Sequence, residues 1–155
     1  MMGGVHMEDY RKVIFVCEEN VSLSPMAEWV MKGILMDKSR EILSRGLVVL
    51  FPEPRNMKVT DVLARHGIPC EEQVSKEFVT EEVDEYTLVI TMSFPQKVKL
   101  VELGVEDGRV FTLKEFVDEE GDVTDPYGGN EEAYDSFFLE IRDLLYKMKH
   151  KLKWS

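Results

Sequence analysis

Two kinds of apolar pattern follow one another along this chain. Short apolar runs rich in β-branched residues predict four strands, and apolar residues at helical spacing predict four helices. The strands are predicted at residues 12–17, 42–51, 86–92 and 109–113, and the helices at 26–36, 56–66, 96–103 and 131–152. The acidic stretch 115–124 shows neither period and predicts a loop. Strands that alternate with helices favour an α/β fold of three αβα layers around a four-stranded parallel sheet.

Length and composition indicate one domain. The chain has 155 residues, of which 44% are hydrophobic, and a chain of this size can bury a sufficient core without metal or disulfide bonds. We therefore expect a single domain over residues 1–155, with residues 1–10 as a flexible N-terminus.

Charge and cysteine content narrow the choice of partners. The sequence carries 30 Asp+Glu against 19 Lys+Arg, a formal net charge of -11, which opposes binding to nucleic acid or to an anionic membrane. Its apolar runs are far shorter than the ~20 residues of a membrane-spanning helix. Its cysteines, Cys17 and Cys70, are too few for a secreted disulfide framework. We expect a cytoplasmic protein, and the sequence leaves its oligomeric state open.

The loop after the first predicted strand is the first candidate for chemistry. In parallel α/β folds, ligands bind beyond the carboxyl ends of the strands, and residues 17–24 lie there. A helix N-terminus attracts anions and lowers the pKa of a nearby cysteine, so Cys17 is a candidate thiolate nucleophile. The alternative is a small buried residue that ends a strand. Ser24, followed by Pro25, is predicted to cap the next helix.

The segment 16–28, VCEENVSLSPMAE, resembles the phosphate-binding loop of the low-molecular-weight protein tyrosine phosphatases. Further matches follow in the family's order and at its spacing, and together they cover nearly the whole chain. They are Ser44-Arg45-Gly46, residues 54–68, residues 75–92 and Asp125-Pro126-Tyr127-Gly128-Gly129.

The resemblance implies roles for individual residues. Cys17 matches the nucleophile that forms a phosphocysteine, and Asp125 matches the general acid. The loop between nucleophile and helix comprises Glu18, Glu19, Asn20, Val21, Ser22 and Leu23. The remaining matches are Ser24, which supports the thiolate, Asn20 and Ser44, which hold the shape of the loop, and Tyr127, which forms a wall of the cleft.

Simpler interpretations of some of these residues stay open. A helix cap without any catalytic role would also explain Ser24, and an ordinary turn would also explain Asp125-Pro126. Asn20 is a residue type that tolerates a left-handed backbone. No group of residues has metal-ligand spacing, and neither a metal nor a cofactor is expected.

The loop departs from the family pattern where phosphate would bind. Leu23 replaces an arginine whose guanidinium donates two hydrogen bonds to phosphoryl oxygens. Glu18 and Glu19 stand where the family has uncharged residues. Ser93 stands where the family commonly has an aspartate that orients the arginine. These changes predict impaired or absent phosphatase activity.

Three functions fit the sequence. The first is a degenerate phosphatase that acts as a binding or regulatory module for an unknown protein partner. The second is an active phosphatase that hydrolyses a phosphorylated protein or a small phosphomonoester, with Arg45 as the candidate replacement for the missing arginine. The third is a thiol redox enzyme that resembles the arsenate reductases and would need a second cysteine, for which only Cys70 is available.

Overall fold

The computed structural model describes residues 9–155. Four strands form one sheet in the order β2-β1-β3-β4, and every neighbouring pair is parallel. They are β1 (Lys12–Cys17), β2 (Glu41–Gly46), β3 (Thr87–Thr91) and β4 (Val110–Thr112). The predicted four-stranded parallel α/β fold is confirmed.

Helices connect the strands and close the chain. They are α1 (Leu23–Ile34), α2 (Met57–Arg65), α3 (Phe94–Glu102), α4 (Leu113–Phe116) and α5 (Glu131–Leu152). The predicted helices agree with α1, α2, α3 and α5 to within a few residues at each end. The predicted loop at 115–124 is wrong at its start, where Thr112 caps the short helix α4 by accepting a hydrogen bond from the backbone N–H of Glu115.

The alternation of side chains along β1 builds two apolar layers. Val13, Phe15 and Cys17 belong to the larger buried cluster, which includes residues of α1, α2, α4 and α5. Ile14 and Val16 point to the opposite face, where they join a smaller cluster that contains residues of β3, β4 and α3. Because β1 is central and buried on both faces, its carboxyl end at Cys17 is held from both sides.

Two local predictions at this edge are corrected. The strand predicted at 42–51 ends at Gly46, because its partner strand β1 ends at Cys17, the residue opposite Gly46. Beyond this pair, Leu47 and Val48 donate backbone hydrogen bonds to the carbonyls of Cys17 and Glu18 in the loop. The helix predicted to begin after a Ser24 cap begins earlier, at Leu23 with Ser22 in the capping position. Ser24 lies inside the first turn and is fully buried.

The two long helices run from the Cys17 edge to the far edge of the sheet. There, Ser155 accepts backbone hydrogen bonds from Met36 at 3.0 Å and Asp37 at 2.8 Å. None of the helices within residues 9–155 is both long and apolar enough to cross a membrane. The expected flexible N-terminus at 1–10 falls mostly outside the described residues, and Tyr10 is buried with its carbonyl bound to Arg40.

Candidate active site

The sulfur of Cys17 lies at the centre of the loop that joins β1 to α1. Cys17 Sγ is 3.0 Å from Ser24 Oγ. The backbone N–H groups of Glu19, Asn20 and Ser24 also form hydrogen bonds to the sulfur. The loop therefore surrounds the sulfur with donors, an arrangement that favours negative charge at this point.

Burial opposes that preference. Cys17 is only 4% exposed, and this burial raises the pKa of its thiol by more than the hydrogen bonds from Ser24, Asn20 and Glu19 lower it. The sequence-based expectation of a lowered pKa for Cys17 is therefore corrected: the helix N-terminus acts in the predicted direction, but the loss of solvation is the larger effect.

Asn20 holds the loop in shape. Its φ is 60°, which confirms the expected left-handed backbone. Its side-chain Nδ2 donates to Ser24 Oγ at 2.9 Å and to Ser44 Oγ at 3.0 Å, while its Oδ1 accepts from the backbone N–H of Lys76 at 2.9 Å. The structure thus brings together Cys17, Ser24, Asn20 and Ser44.

Glu28 extends this network, and the sequence analysis missed it. Ser44 donates its hydroxyl hydrogen to Glu28 Oε1 at 2.6 Å, so Ser44 Oγ is an acceptor toward Asn20. Asn20 in turn donates to Ser24, whose one hydrogen is then free to go to Cys17 Sγ at 3.0 Å or to the carbonyl of Arg45 at 3.3 Å. The detectable signal was an acidic residue one turn after Ser24, on the side of α1 that the apolar pattern buries.

A cavity of about 380 Å³ opens above the sulfur. Its walls come from the Cys17 loop, from the starts of α2 and α3, and from the turn before α5. The lining residues are Cys17, Glu18, Glu19, Val21, Ser22, Leu23, Asn56, Gln96, Asp125 and Tyr127. The structure thus places Cys17, Asp125 and Tyr127 on one cavity, while Ser24, Asn20 and Ser44 support it from behind.

No positive side chain lines this cavity among the described residues. Leu23 is 8% exposed and packs with the larger apolar cluster. Arg45 does not replace the missing arginine, because its Nε and Nη2 donate to the two carboxylate oxygens of Glu82 at 2.8 and 2.7 Å.

Uncharged amides line two other parts of the wall. Gln96 Oε1 accepts hydrogen bonds from the backbone N–H groups of Met92 at 3.0 Å and Ser93 at 3.1 Å, at the start of α3. Asn56 Nδ2 donates to Ser22 Oγ at 3.1 Å and to the hydroxyl of Tyr134 at 3.3 Å. In the sequence both residues were only the first residues of predicted helices.

Asp125 and Tyr127 form an exposed turn on the opposite wall. Asp125 Oδ1 accepts from the backbone N–H of Tyr127 at 2.9 Å, and Tyr127 is 84% exposed. Lys58 of α2 donates to the carbonyl of Gly129 at 2.8 Å. Asp125 is thus both a turn-forming residue and a carboxylate that faces the cavity of Cys17.

Comparison with known proteins identifies this arrangement. The sequence model for the low molecular weight phosphotyrosine protein phosphatases matches residues 12–155. The chain belongs to this family. The low molecular weight protein-tyrosine-phosphatase PtpB of Staphylococcus haemolyticus is 33% identical over 138 residues, which cover 89% of this chain and 97% of that protein. PtpB of Staphylococcus aureus is 35% identical over 140 residues, with 89% of this chain and 96% of that protein covered.

Solved phosphatase structures share the fold. The low molecular weight protein tyrosine phosphatase of T. tengcongensis superposes with a TM-score of 0.84 at 34% identity, covering 90% of this chain and 98% of that one. The YwlE arginine phosphatase of Geobacillus stearothermophilus superposes with a TM-score of 0.83 at 30% identity, covering 92% and 93%.

This member of the phosphatase family has its second cysteine away from the Cys17 cavity. Cys70 is half-buried, and its sulfur accepts a hydrogen bond from Arg55 Nη2 at 3.2 Å. Cys17 is the only cysteine among the described residues that line the cavity. Within residues 9–155, the acidic, histidine and cysteine side chains form no cluster that could hold a metal ion.

Proposed function

We propose that this chain is a degenerate low-molecular-weight protein tyrosine phosphatase with severely impaired phosphatase activity, which acts in the cytoplasm as a binding or regulatory module. The observation that carries the proposal is the absence of a positive side chain from the walls of the Cys17 cavity in the described part of the chain. Leu23, which stands where the family has its arginine, packs into the apolar cluster instead.

The missing charge has a large expected effect on rate. Phosphoryl transfer is catalysed mainly by positioning and by cationic groups that neutralise charge in the transition state, and an arginine finger is worth roughly 10³–10⁵ in rate. Glu18 and Glu19 are exposed at the rim of the same cavity and add repulsion toward a phosphate dianion. Positioning of the phosphoryl group by the loop backbone alone does not compensate for the missing arginine and for this added repulsion.

The other parts of the family's machinery keep their places in this proposal. Cys17 is the nucleophile, Ser24 supports its thiolate, Asp125 is the general acid and Tyr127 is a wall of the cleft. Asn20 and Ser44 hold the loop in shape. These residues explain why the site persists as a shaped cavity that can receive a partner.

An active phosphatase is the second candidate. The contact of 3.0 Å between Cys17 and Ser24, together with Asp125 on the same cavity, favours it. Its substrate would be a phosphorylated protein or a small phosphomonoester. The redox alternative has less support, because Cys70 lies outside the cavity.

Steady-state hydrolysis of p-nitrophenyl phosphate separates the two candidates. We expect the turnover of the wild-type chain to stay close to that of Cys17→Ser. Turnover well above this control, lost on replacing Cys17, would contradict the proposal and support the active phosphatase.

Titration calorimetry with phosphate and vanadate tests the same loop without turnover. The N-terminus of α1 attracts an anion by only about 0.3–1 kcal/mol, whereas each hydrogen bond from the missing guanidinium would be worth roughly 1.5–3 kcal/mol. We expect no saturable binding at millimolar phosphate. A tight one-to-one complex with vanadate at neutral pH would show that the backbone amides suffice.

A further inference from the structure

Five consecutive apolar residues follow β2 and form an exposed loop at the outer edge of the sheet. Residues 47–51 read Leu-Val-Val-Leu-Phe, and Val48 is 45%, Leu50 87% and Phe51 64% exposed. Backbone hydrogen bonds from Leu47 and Val48 to the Cys17 loop fix one end of this segment. Apolar side chains of a loop that is fixed at one end are thus presented to solvent, next to the candidate active site.

Two further exposed apolar side chains extend this surface. Glu53 and Ser75 exchange hydrogen bonds, since the backbone N–H of Ser75 donates to the carbonyl of Glu53 and the N–H of Glu53 donates to Ser75 Oγ. An antiparallel bridge pairs Val74, 56% exposed, with Pro54, three residues after the end of the loop. Val74 and Met57 line a cavity of about 540 Å³. We call Val48, Leu50, Phe51, Met57 and Val74 the apolar patch.

Carboxylates surround the apolar patch. Glu19 and Glu53 line a small cavity together with residues 48–51, and Glu72 lines the larger one. None of these three carboxylates forms a salt bridge with any described residue. Two cations also lie at this edge. Arg55 lines the larger cavity, where its guanidinium donates to the carbonyl of Glu71, to Gln73 Oε1 and to Cys70 Sγ, and the charge of Lys76 acts on Glu82.

We propose that the apolar patch and its carboxylate rim bind a basic, apolar polypeptide segment of a partner protein. Exposed apolar patches of this kind mark interaction sites, and unpaired carboxylates around one favour a partner with lysines or arginines beside its apolar residues. The net charge of -11 attracts such a segment over a longer range. We call the apolar patch and its carboxylate rim the docking face. Its assignment rests on the proposed function of the chain as a binding module and specifies the class of partner that this module binds.

A second copy of this chain is a poor occupant for the same face. Each copy carries the net charge of -11, and an association through this patch would bring Glu19, Glu53 and Glu72 of one copy against those of the other. Like charges opposed across an interface disfavour association.

Fluorescence anisotropy with two synthetic peptides tests the docking face. One labelled peptide alternates lysine pairs with leucine and phenylalanine, and the other has glutamate at every lysine position. We expect the full chain to bind the basic peptide at least about tenfold more tightly than the acidic one, with an affinity that falls as salt is added. The double variant Leu50→Ser, Phe51→Ser should lose about tenfold in affinity at every salt concentration.

Matched variants separate this site from general attraction to an acidic protein. Val98→Ser with Leu103→Ser removes apolar side chains that are 41% and 51% exposed at α3. This helix connects β3 to β4, away from the β2 edge of the sheet, so the variant should bind the basic peptide as the wild type does. Glu53→Gln with Glu72→Gln should weaken binding mainly at low salt. Unfolding curves confirm that each variant is folded.

Several outcomes would overturn the docking face. They are equal binding of both peptides, wild-type binding by the Leu50/Phe51 variant, and a concentration-dependent dimer in sedimentation that this variant abolishes. Robust Cys17-dependent phosphatase turnover together with patch-dependent peptide binding would refute the proposed impairment but leave the docking face standing. The two proposals therefore fail separately.

Discussion

Leu23 affects both the stability and the chemistry of the site. Its side chain is 8% exposed within the larger apolar cluster, and burying a leucine contributes about 1.5–3 kcal/mol. An arginine here would lose that contribution and supply a cation to the cavity. Stability and catalysis therefore place opposite demands on position 23.

Leu23→Arg tests this opposition directly. We expect hydrolysis of p-nitrophenyl phosphate to rise by roughly tenfold or more and the free energy of unfolding to fall by about 1.5–3 kcal/mol. Adding Glu19→Gly should raise turnover further, although the two effects need not add because they act on one loop. A folded variant without any gain in turnover would show that Asp125 or the loop backbone is unfit as well.

Ser24→Ala probes the hydroxyl that contacts the sulfur. Its hydrogen bond lowers the pKa of Cys17, so its loss should raise that pKa further and slow alkylation of Cys17 by iodoacetamide at neutral pH by about tenfold, the effect of ~1.5 kcal/mol. Mass spectrometry of the Cys17 peptide gives the rate separately from Cys70. Ser22→Ala is the control, because Ser22 Oγ contacts Asn56 rather than the sulfur. Equal rates for Ser24→Ala and wild type would refute this role of Ser24.

At the residue scale, the sequence could predict what is encoded locally. The left-handed backbone of Asn20 follows from its residue type, and the contact between Cys17 and Ser24 follows from the resemblance of the loop. The pairing of Arg45 with Glu82 and of Ser44 with Glu28 joins residues far apart in the chain. Such contacts depend on how the elements pack, which no local pattern contains.

At the scale of elements, the end of β2 shows why boundaries were harder to predict. Residues 42–51 form one nearly continuous apolar run, and such a run does not show where pairing stops. The strand ends at Gly46, the last residue paired with β1, where the backbone meets the Cys17 loop. A Cβ at Gly46 would lie 2.9 Å from the backbone carbon of Glu19 and 3.0 Å from Asn20 Cβ.

Gly46→Ala should therefore disturb the Cys17 loop. We expect the free energy of unfolding to fall by about 1–3 kcal/mol, as in other overpacked sites, and the alkylation rate of Cys17 to change because Asn20 is displaced. Gly108→Ala is the matched control, since a Cβ there meets nothing within 4 Å. If both variants unfold at the same denaturant concentration, the close approach at Gly46 does not constrain the loop.

At the scale of the whole molecule, ionisable groups limit stability at both ends of the pH range. The hydrogen bond from Arg45 lowers the pKa of Glu82, and the hydrogen bond from Thr87 lowers that of Asp84. Burial raises the pKa values of Cys17 and Tyr134. A group whose pKa is lowered by folding stabilises the fold at pH values above its pKa in the unfolded chain. A group whose pKa is raised by folding stabilises the fold at pH values below its pKa in the unfolded chain.

Urea unfolding across pH should follow these signs. The free energy of unfolding should fall as the pH drops below about 4, and it should fall again as the pH rises above about 8.5. Glu82→Gln should flatten the acid side, and Cys17→Ser should flatten the start of the alkaline side. Unchanged slopes in these variants would mean that other groups control the pH dependence.

The contact of Ser155 with the end of α1 has a practical consequence for labelling and immobilisation. A twelve-residue helix such as α1 is about 18 Å long, and it separates Ser155 from the Cys17 loop. Because Met36 and Asp37 bind the Ser155 carbonyl oxygen, a segment attached after Ser155 begins at a fixed point on the edge opposite the cavity. A fluorophore or surface linker attached there leaves both the cavity and the apolar patch open to ligands in solution.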